Sequence, residues 1–153
     1  MNLLVDTSLL VRLSDYTSAI REVCERAIQE SLKHGVTLYL ASQVIIEYWA
    51  VSTRPSEANG LGRSVELTFA DCMDYLRLMS LLPEPPDIAG QWLQLVRQYE
   101  VKGKEVHDAR LVAFAVAHQI RDILTLNPDD FTRYREVTAW TPAQLMERMT
   151  QGG

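Results

Sequence analysis

Leu3-Leu4-Val5-Asp6-Thr7-Ser8, near the start of the chain, sets the reading of everything after it. Three consecutive apolar residues, with no polar alternation, predict a short strand buried on both faces. The Asp-Thr-Ser that ends them predicts a helix start directly afterwards. A strand covered on both sides needs helices above and below it, and the rest of the sequence supplies them. Ile20, Val23, Cys24, Ala27, Ile28 and Leu32 form a helical stripe closed by Gly35, and a second strand follows over Val36 to Leu40. Ser42 is a good N-cap for a helix carrying Val44, Ile45, Tyr48, Trp49 and Val51, which stops at Thr53-Arg54-Pro55. Asn59-Gly60 and Gly62 make Pro55 to Arg63 a loop. Val65, Phe69, Cys72, Met73, Leu76 and Met79 then mark a helix, Leu81-Leu82-Pro83 a third strand, and Ile88, Trp92, Leu95, Val96 and Tyr99 another helix. Beyond Gly103 the pattern gives a helix from about Glu105 to Gln119, a fourth strand over Ile123 to Leu126, and a turn at Pro128 to Tyr134. A fifth strand covers Val137 to Trp140, and a last helix is opened by Thr141 as cap and Pro142 in the first position. Strands alternating with helices predict an α/β fold, with a central parallel sheet of about five strands covered on both faces, in a single domain over 1–150.

Composition narrows the function. Of 153 residues, 47% are hydrophobic and 23% charged, which is ordinary globular usage and argues against disorder. Fifteen cations against twenty acids leave a net charge of −5, so the chain does not coat itself in nucleic acid through one broad basic face. Only Lys33, Lys102 and Lys104 are lysines; the remaining cations are arginines, suited to bidentate recognition of carboxylate or phosphate. Cys24 and Cys72 lie in apolar helical patterns without zinc-finger spacing and read as buried free thiols. The longest apolar run, Leu111 to Ala117, is far short of a membrane span, and the N-terminus reaches an acid at Asp6 too soon for a signal peptide. A cytoplasmic protein with no membrane partner is expected.

Ligands of an open parallel sheet bind outside the carboxyl ends of its strands, and acids cluster there. Asp6 follows strand one, Asp130 lies in the turn after strand four, close behind Asn127, and Asp108 falls in the first turn of the helix leading into strand four. Glu47 has Val44 and Val51 as neighbours one turn away, so it points inward, and no Lys or Arg stands one turn from it. Carboxylates converging at about 5 Å repel by roughly 3 kcal/mol per pair at an effective dielectric of about 20. Such a cluster needs a cation or bound protons. Oxygen donors without Cys or His select Mg²⁺ or Mn²⁺ over zinc, and those ions serve phosphodiester hydrolysis. Each acid also has a plain structural reading: Asp6 as a helix start, Asp108 as complement to a helix dipole, Asp130 with Asp129 as a solvated turn pair, Glu47 as partner of a distant Arg.

Four segments carry a resemblance. They are Leu4-Val5-Asp6-Thr7-Ser8, Ser42-Gln43-Val44-Ile45-Ile46-Glu47, Val106-His107-Asp108-Ala109-Arg110-Leu111-Val112-Ala113 and Leu124-Thr125-Leu126-Asn127-Pro128-Asp129-Asp130-Phe131. With them the chain resembles PIN-domain ribonucleases, most closely the VapC-type toxins of toxin–antitoxin modules. Thr53-Arg54-Pro55 through Asn59-Gly60-Leu61-Gly62 also looks like a loop common in one branch of these toxins. The resemblance implies a three-layer α/β/α sandwich whose acids bind one or two Mg²⁺ (or Mn²⁺) ions and cleave single-stranded or looped RNA. Asp6, Glu47 and Asp108 match the three principal acids. Where many PIN domains carry a further Asp, two residues after the strand-four Thr, this chain has Asn127, so either a second metal site is weakened or Asp130 completes the site. Thr7 and Thr125 can lend hydroxyls, although capping and a strand end are their ordinary roles. The resemblance further implies a cognate antitoxin laid over the acidic groove, and a homodimer.

The expectation is therefore a metal-dependent endoribonuclease, the toxin of a type II pair, with Asp6, Glu47, Asp108 and Asp130 as catalytic and metal-binding residues. Against it stands a catalytically impaired PIN-like module that binds RNA or protein, suggested by Asn127. A phosphotransferase with Asp6 as nucleophile is disfavoured, since Ser8 stands where a second Asp is wanted and no Lys follows Trp140. His107 reads as a surface or structural residue, because adjacent helical side chains diverge by about 100°. Arg12, Arg54, Arg63 and Arg110 read as solvated or salt-bridged before they read as phosphate ligands. Gly60-Leu61-Gly62 is no dinucleotide loop, having no third glycine and no preceding strand.

Overall fold

The computed structural model describes residues 1–152. Five parallel strands form one sheet: β1 (Asn2–Val5), β2 (Thr37–Leu40), β3 (Ser80–Leu81), β4 (Asp122–Leu124) and β5 (Thr138–Trp140), in the order β3-β2-β1-β4-β5. The connections carry α1 (Thr7–Leu13), α2 (Arg21–Lys33), α3 (Ser42–Thr53), α4 (Val65–Leu78), α5 (Ile88–Gln98) and α6 (Val106–Ala117), and α7 (Pro142–Gly152) closes the chain. The helices pack in two groups, α1 to α4 with α7 and α5 with α6, which give the outer layers of an α/β/α sandwich. None of the described helices is long and apolar enough to cross a membrane.

The central position of β1 follows from its composition. Leu3, Leu4 and Val5 are fully buried, and only a strand with neighbours on both edges and helices on both faces hides three successive side chains. Leu38 and Leu40 of β2, Ile123 and Leu124 of β4, and Val112 and Phe114 of α6 complete the core around it. Cys24 and Cys72 are buried free thiols. Thr141 caps the last helix as expected, and Gln144 answers it in a reciprocal capping box, through Gln144 N to Thr141 Oγ1 at 3.2 Å and Thr141 N to Gln144 Oε1 at 3.0 Å.

Several boundaries differ from the pattern by a residue or two, and three of the differences bear on the site or the sheet edge. The third strand is Ser80–Leu81, paired with Tyr39 and Leu40, because β2 ends at Leu40 and Pro83 has no N–H to extend the ladder. Thr125 and Leu126 lie beyond β4. The N-cap of α3 is Ala41, wholly buried and extended, with Ser42 in the first turn; packing at the end of β2 sets that start, not a hydroxyl cap.

Candidate acidic site at the strand ends

β1 and β4 are hydrogen-bonded neighbours with Val5 opposite Leu124, so Asp6 and Thr125 leave the sheet side by side. Asp6 N donates to Leu124 O at 2.9 Å and holds the two exits together. Asp6 occupies the N-cap position of α1, as the sequence predicts, yet its carboxylate makes no capping bond. It accepts instead from Thr125 Oγ1 at 2.7 Å and from Ser8 Oγ at 3.0 Å. Both hydroxyls are oriented from behind: Asn127 N donates to Thr125 Oγ1 and Leu126 N to Ser8 Oγ, each at 3.0 Å. A hydroxyl has one proton. With a backbone N–H on each oxygen, both protons point at the same carboxylate oxygen, Asp6 Oδ2.

Glu47 comes to the same end of the sheet from α3. It is half-buried, and Thr7 Oγ1 donates to its Oε1 at 3.3 Å. One turn earlier, Gln43 bridges to α6: its Nε2 donates to His107 O at 2.7 Å, and its Oε1 accepts from Arg110 Nη1 at 3.0 Å. Gln43 thus fixes the helix bearing Glu47 against the first turn of the helix bearing Asp108. Asp130 lies in a short 3-10 turn, Pro128–Asp130, and is exposed, as is Asn127 before it.

The electrostatics show that these acids face one another. Burial pushes Asp108 up to about 7, and the charges of Asp130, Asp6 and Glu47 push the same way. Burial likewise raises Asp6; the hydrogen bonds from Thr125, Ser8 and the Thr7 backbone oppose it, and Asp130 adds to it. Glu47 is raised by burial, resisted by Gln43, and raised further by Asp6. Among the described residues no three His, Cys, Asp or Glu stand close enough to share one metal ion. The donor set still suits Mg²⁺, which is held by one or two carboxylates while keeping several waters. The residues present fit such an ion, although no closed cage of protein ligands surrounds it.

Two contributors escape a reading of the sequence. Ser8 reads as part of a helix start, and Gln43 as an ordinary first-turn residue. The one available signal is position: Ser8 is two residues from Asp6, and Gln43 is one helical turn from Glu47. The arginines are largely engaged, Arg12 with Asp15 at 3.4 Å, Arg63 two-pronged with Asp71 at 2.9 and 3.1 Å, and Arg110 with Glu84 at 2.8 Å; Arg54 is exposed. His107 is exposed.

A family model for the PIN domain matches residues 3–137. The chain belongs to the PIN domain family. No curated protein sequence matches it. Among solved structures, this PIN chain is similar to VapBC2 from Rickettsia felis, bound to a DNA fragment from its promoter, at 15% identity and TM-score 0.70, over 92% of this chain and 98% of the other. It is similar to the Mycobacterium tuberculosis toxin VapC20, described as cleaving the sarcin–ricin loop, at 17% identity and TM-score 0.64, over 88% and 98% of the two chains. VapBC-1 from nontypeable Haemophilus influenzae matches at 14% identity and TM-score 0.65, over 94% and 99%. At these identities the likeness is one of fold.

Proposed function

We propose that this PIN chain, with residues 1–150 as one functional unit, is a divalent-metal-dependent endoribonuclease and the toxin of a type II toxin–antitoxin pair. The observation that carries the reading is the meeting of carboxylates at the strand ends: Asp6 aimed by two hydroxyls, and Asp108 raised to about 7 by burial and by neighbouring acids. Asp6 and Asp108 are the principal metal ligands, with Glu47 and Asp130 completing the acidic lining. A bound Mg²⁺ or Mn²⁺ would activate water and offset charge on the attacked phosphate. The chain's own groups do the rest. Thr125 and Ser8 hold Asp6 in one orientation, Thr7 steadies Glu47, and Asn127 fixes Thr125 through its backbone. Family membership supports the nuclease class, and the solved VapBC assemblies support a protein antitoxin as partner, with a homodimer and a cytoplasmic location consistent with that reading.

The test is incubation of antitoxin-free protein with total RNA in EDTA, Mg²⁺ and Mn²⁺, beside Asp6→Asn. Discrete cuts that need metal and fall by about 100-fold or more in the variant are expected. Full activity in a folded Asp6→Asn protein would sink the proposal. The looseness of the carboxylate group favours a second reading, a binding module without hydrolysis, and that reading predicts RNA retention with no cleavage even at high Mn²⁺.

A further inference from the structure

Beside the acids lies a cavity of about 620 Å³. One rim is Thr7, Ser8 and Asn127, the residues that orient the acidic site, and the facing wall is Asn59, Gly60 and Leu61 from the loop after α3. That wall is built into the fold. Leu61 N, Gly62 N and Arg63 N donate to Val51 O, Arg54 O and Ser52 O at 3.0, 2.8 and 2.8 Å, so the loop satisfies carbonyls that the end of α3 leaves open. Gly60 passes so close to Arg54 that a Cβ there would overlap the Arg54 carbonyl. Arg63 then clamps Asp71 of α4.

Asn59 sits at the lip with φ +64°, a left-handed conformation that Asn tolerates better than most residues. Among the described residues, neither its carboxamide nor that of Asn127 has a hydrogen-bond partner. Between them run apolar walls from Val11, Val51 and Leu126. Aliphatic side chains beside uncommitted carboxamides offer a nucleobase a nonpolar surface and a hydrogen-bonding edge, and sequence-specific RNA readers splay single bases out to hydrogen-bond their edges. Arg12, 42% exposed and paired with Asp15 at 3.4 Å, lines the same cavity together with that acid.

We propose that this cavity receives one unpaired base of the RNA strand, that of the nucleotide next to the phosphate lying at the acids, and that Asn59 reads its edge. The inference rests on the nuclease reading and names its specificity element. A carboxamide offers a donor and an acceptor together, which distinguishes bases by about tenfold or more.

The experiment compares wild type, Asn59→Gly and Asn59→Asp, both compatible with the left-handed backbone, on random-sequence single-stranded RNA in Mn²⁺ with the cut ends sequenced. Wild type should show a base preference of about tenfold at one position adjacent to the cut. Asn59→Gly should reduce that preference to within about twofold, and Asn59→Asp should move it toward bases that present an amino group. Identical preferences in all three proteins overturn the proposal. If wild type does not cut, the nuclease reading fails by itself, and the cavity is judged by binding of labelled A, C, G and U octamers in EDTA. A preference that Asn59→Gly removes sustains the base pocket, and equal binding of all four, or a preference the variant keeps, overturns it.

Discussion

Ser8 and Thr125 each have one proton to give, and the shortest acceptor open to both is Asp6 Oδ2, at 3.0 and 2.7 Å against 3.3 Å between the two hydroxyls. Thr125→Val deletes the bond to Asp6, and with it the acceptor for Asn127 N, while nearly keeping the shape of a fully buried side chain. Hydrogen bonds to a charged group contribute roughly 1.5–3 kcal/mol, so cleavage at pH 6 should fall by about tenfold or more. The lost bond is one that lowers the Asp6 pKa, so the acid limb of the pH–rate profile should move to higher pH. An unchanged profile would show that Thr125 does not act through Asp6.

Asp108 gives a second test. Its carboxyl is raised from 3.8 to about 7, so the folded, metal-free chain binds that proton more tightly than the unfolded chain does. The contribution is present below about pH 4 and is lost as pH rises through about 7. In EDTA the melting temperature should drop by a few degrees over that window, Asp108→Asn should flatten the drop, and Mn²⁺ at pH 7.5 should reverse it. Asp6 was legible as a candidate from its place after a buried strand, Asp108 from the first turn of a helix, and Glu47 from apolar neighbours one turn away. Ser8 and Gln43 were not, because the backbone groups that fix them lie 118 and 64 residues away.

Among the elements, the loop after α3 combines stability with function. Reading Asn59-Gly60 and Gly62 from the sequence gives a loop, but not its attachment to the end of α3, since that attachment is made of backbone bonds that leave no side-chain signature. Gly60→Ala should destabilise by about 1–3 kcal/mol, visible as a lower urea midpoint at unchanged slope, because the methyl group meets backbone and not a flexible side chain. The buried strands were readable because three or more apolar residues in a row have few other uses. Their ends were less so: β4 stops at Leu124 although Leu126 continues the apolar run, since the chain turns there to deliver Thr125 to Asp6. The local pattern loses its strand end where the functional contact begins.

Across the whole molecule, stability is graded from the middle of the sheet outward. β1 has β2 on one side and β4 on the other, whereas β3 is a two-residue edge strand. Amides of β1 should therefore be the slowest to exchange with deuterium and those of β3 among the fastest, as peptide-level mass spectrometry can read. Equal rates would contradict a core centred on Leu3, Leu4 and Val5. The proposed homodimer predicts a light-scattering mass near twice the 17.4 kDa of one chain. A parallel sheet covered on both faces was legible from alternation alone, whereas the strand order, with the first strand between the second and the fourth, was not, because nothing local in a segment names its neighbour.

That pairing reaches back to how the protein is made. The bond between Thr125 and Asp6 spans 119 residues, and Thr125 is itself tied to Trp140 O at the end of β5. Asp6 therefore waits for a hydroxyl 119 residues further along the chain, and the centre is completed only when β4 docks beside β1.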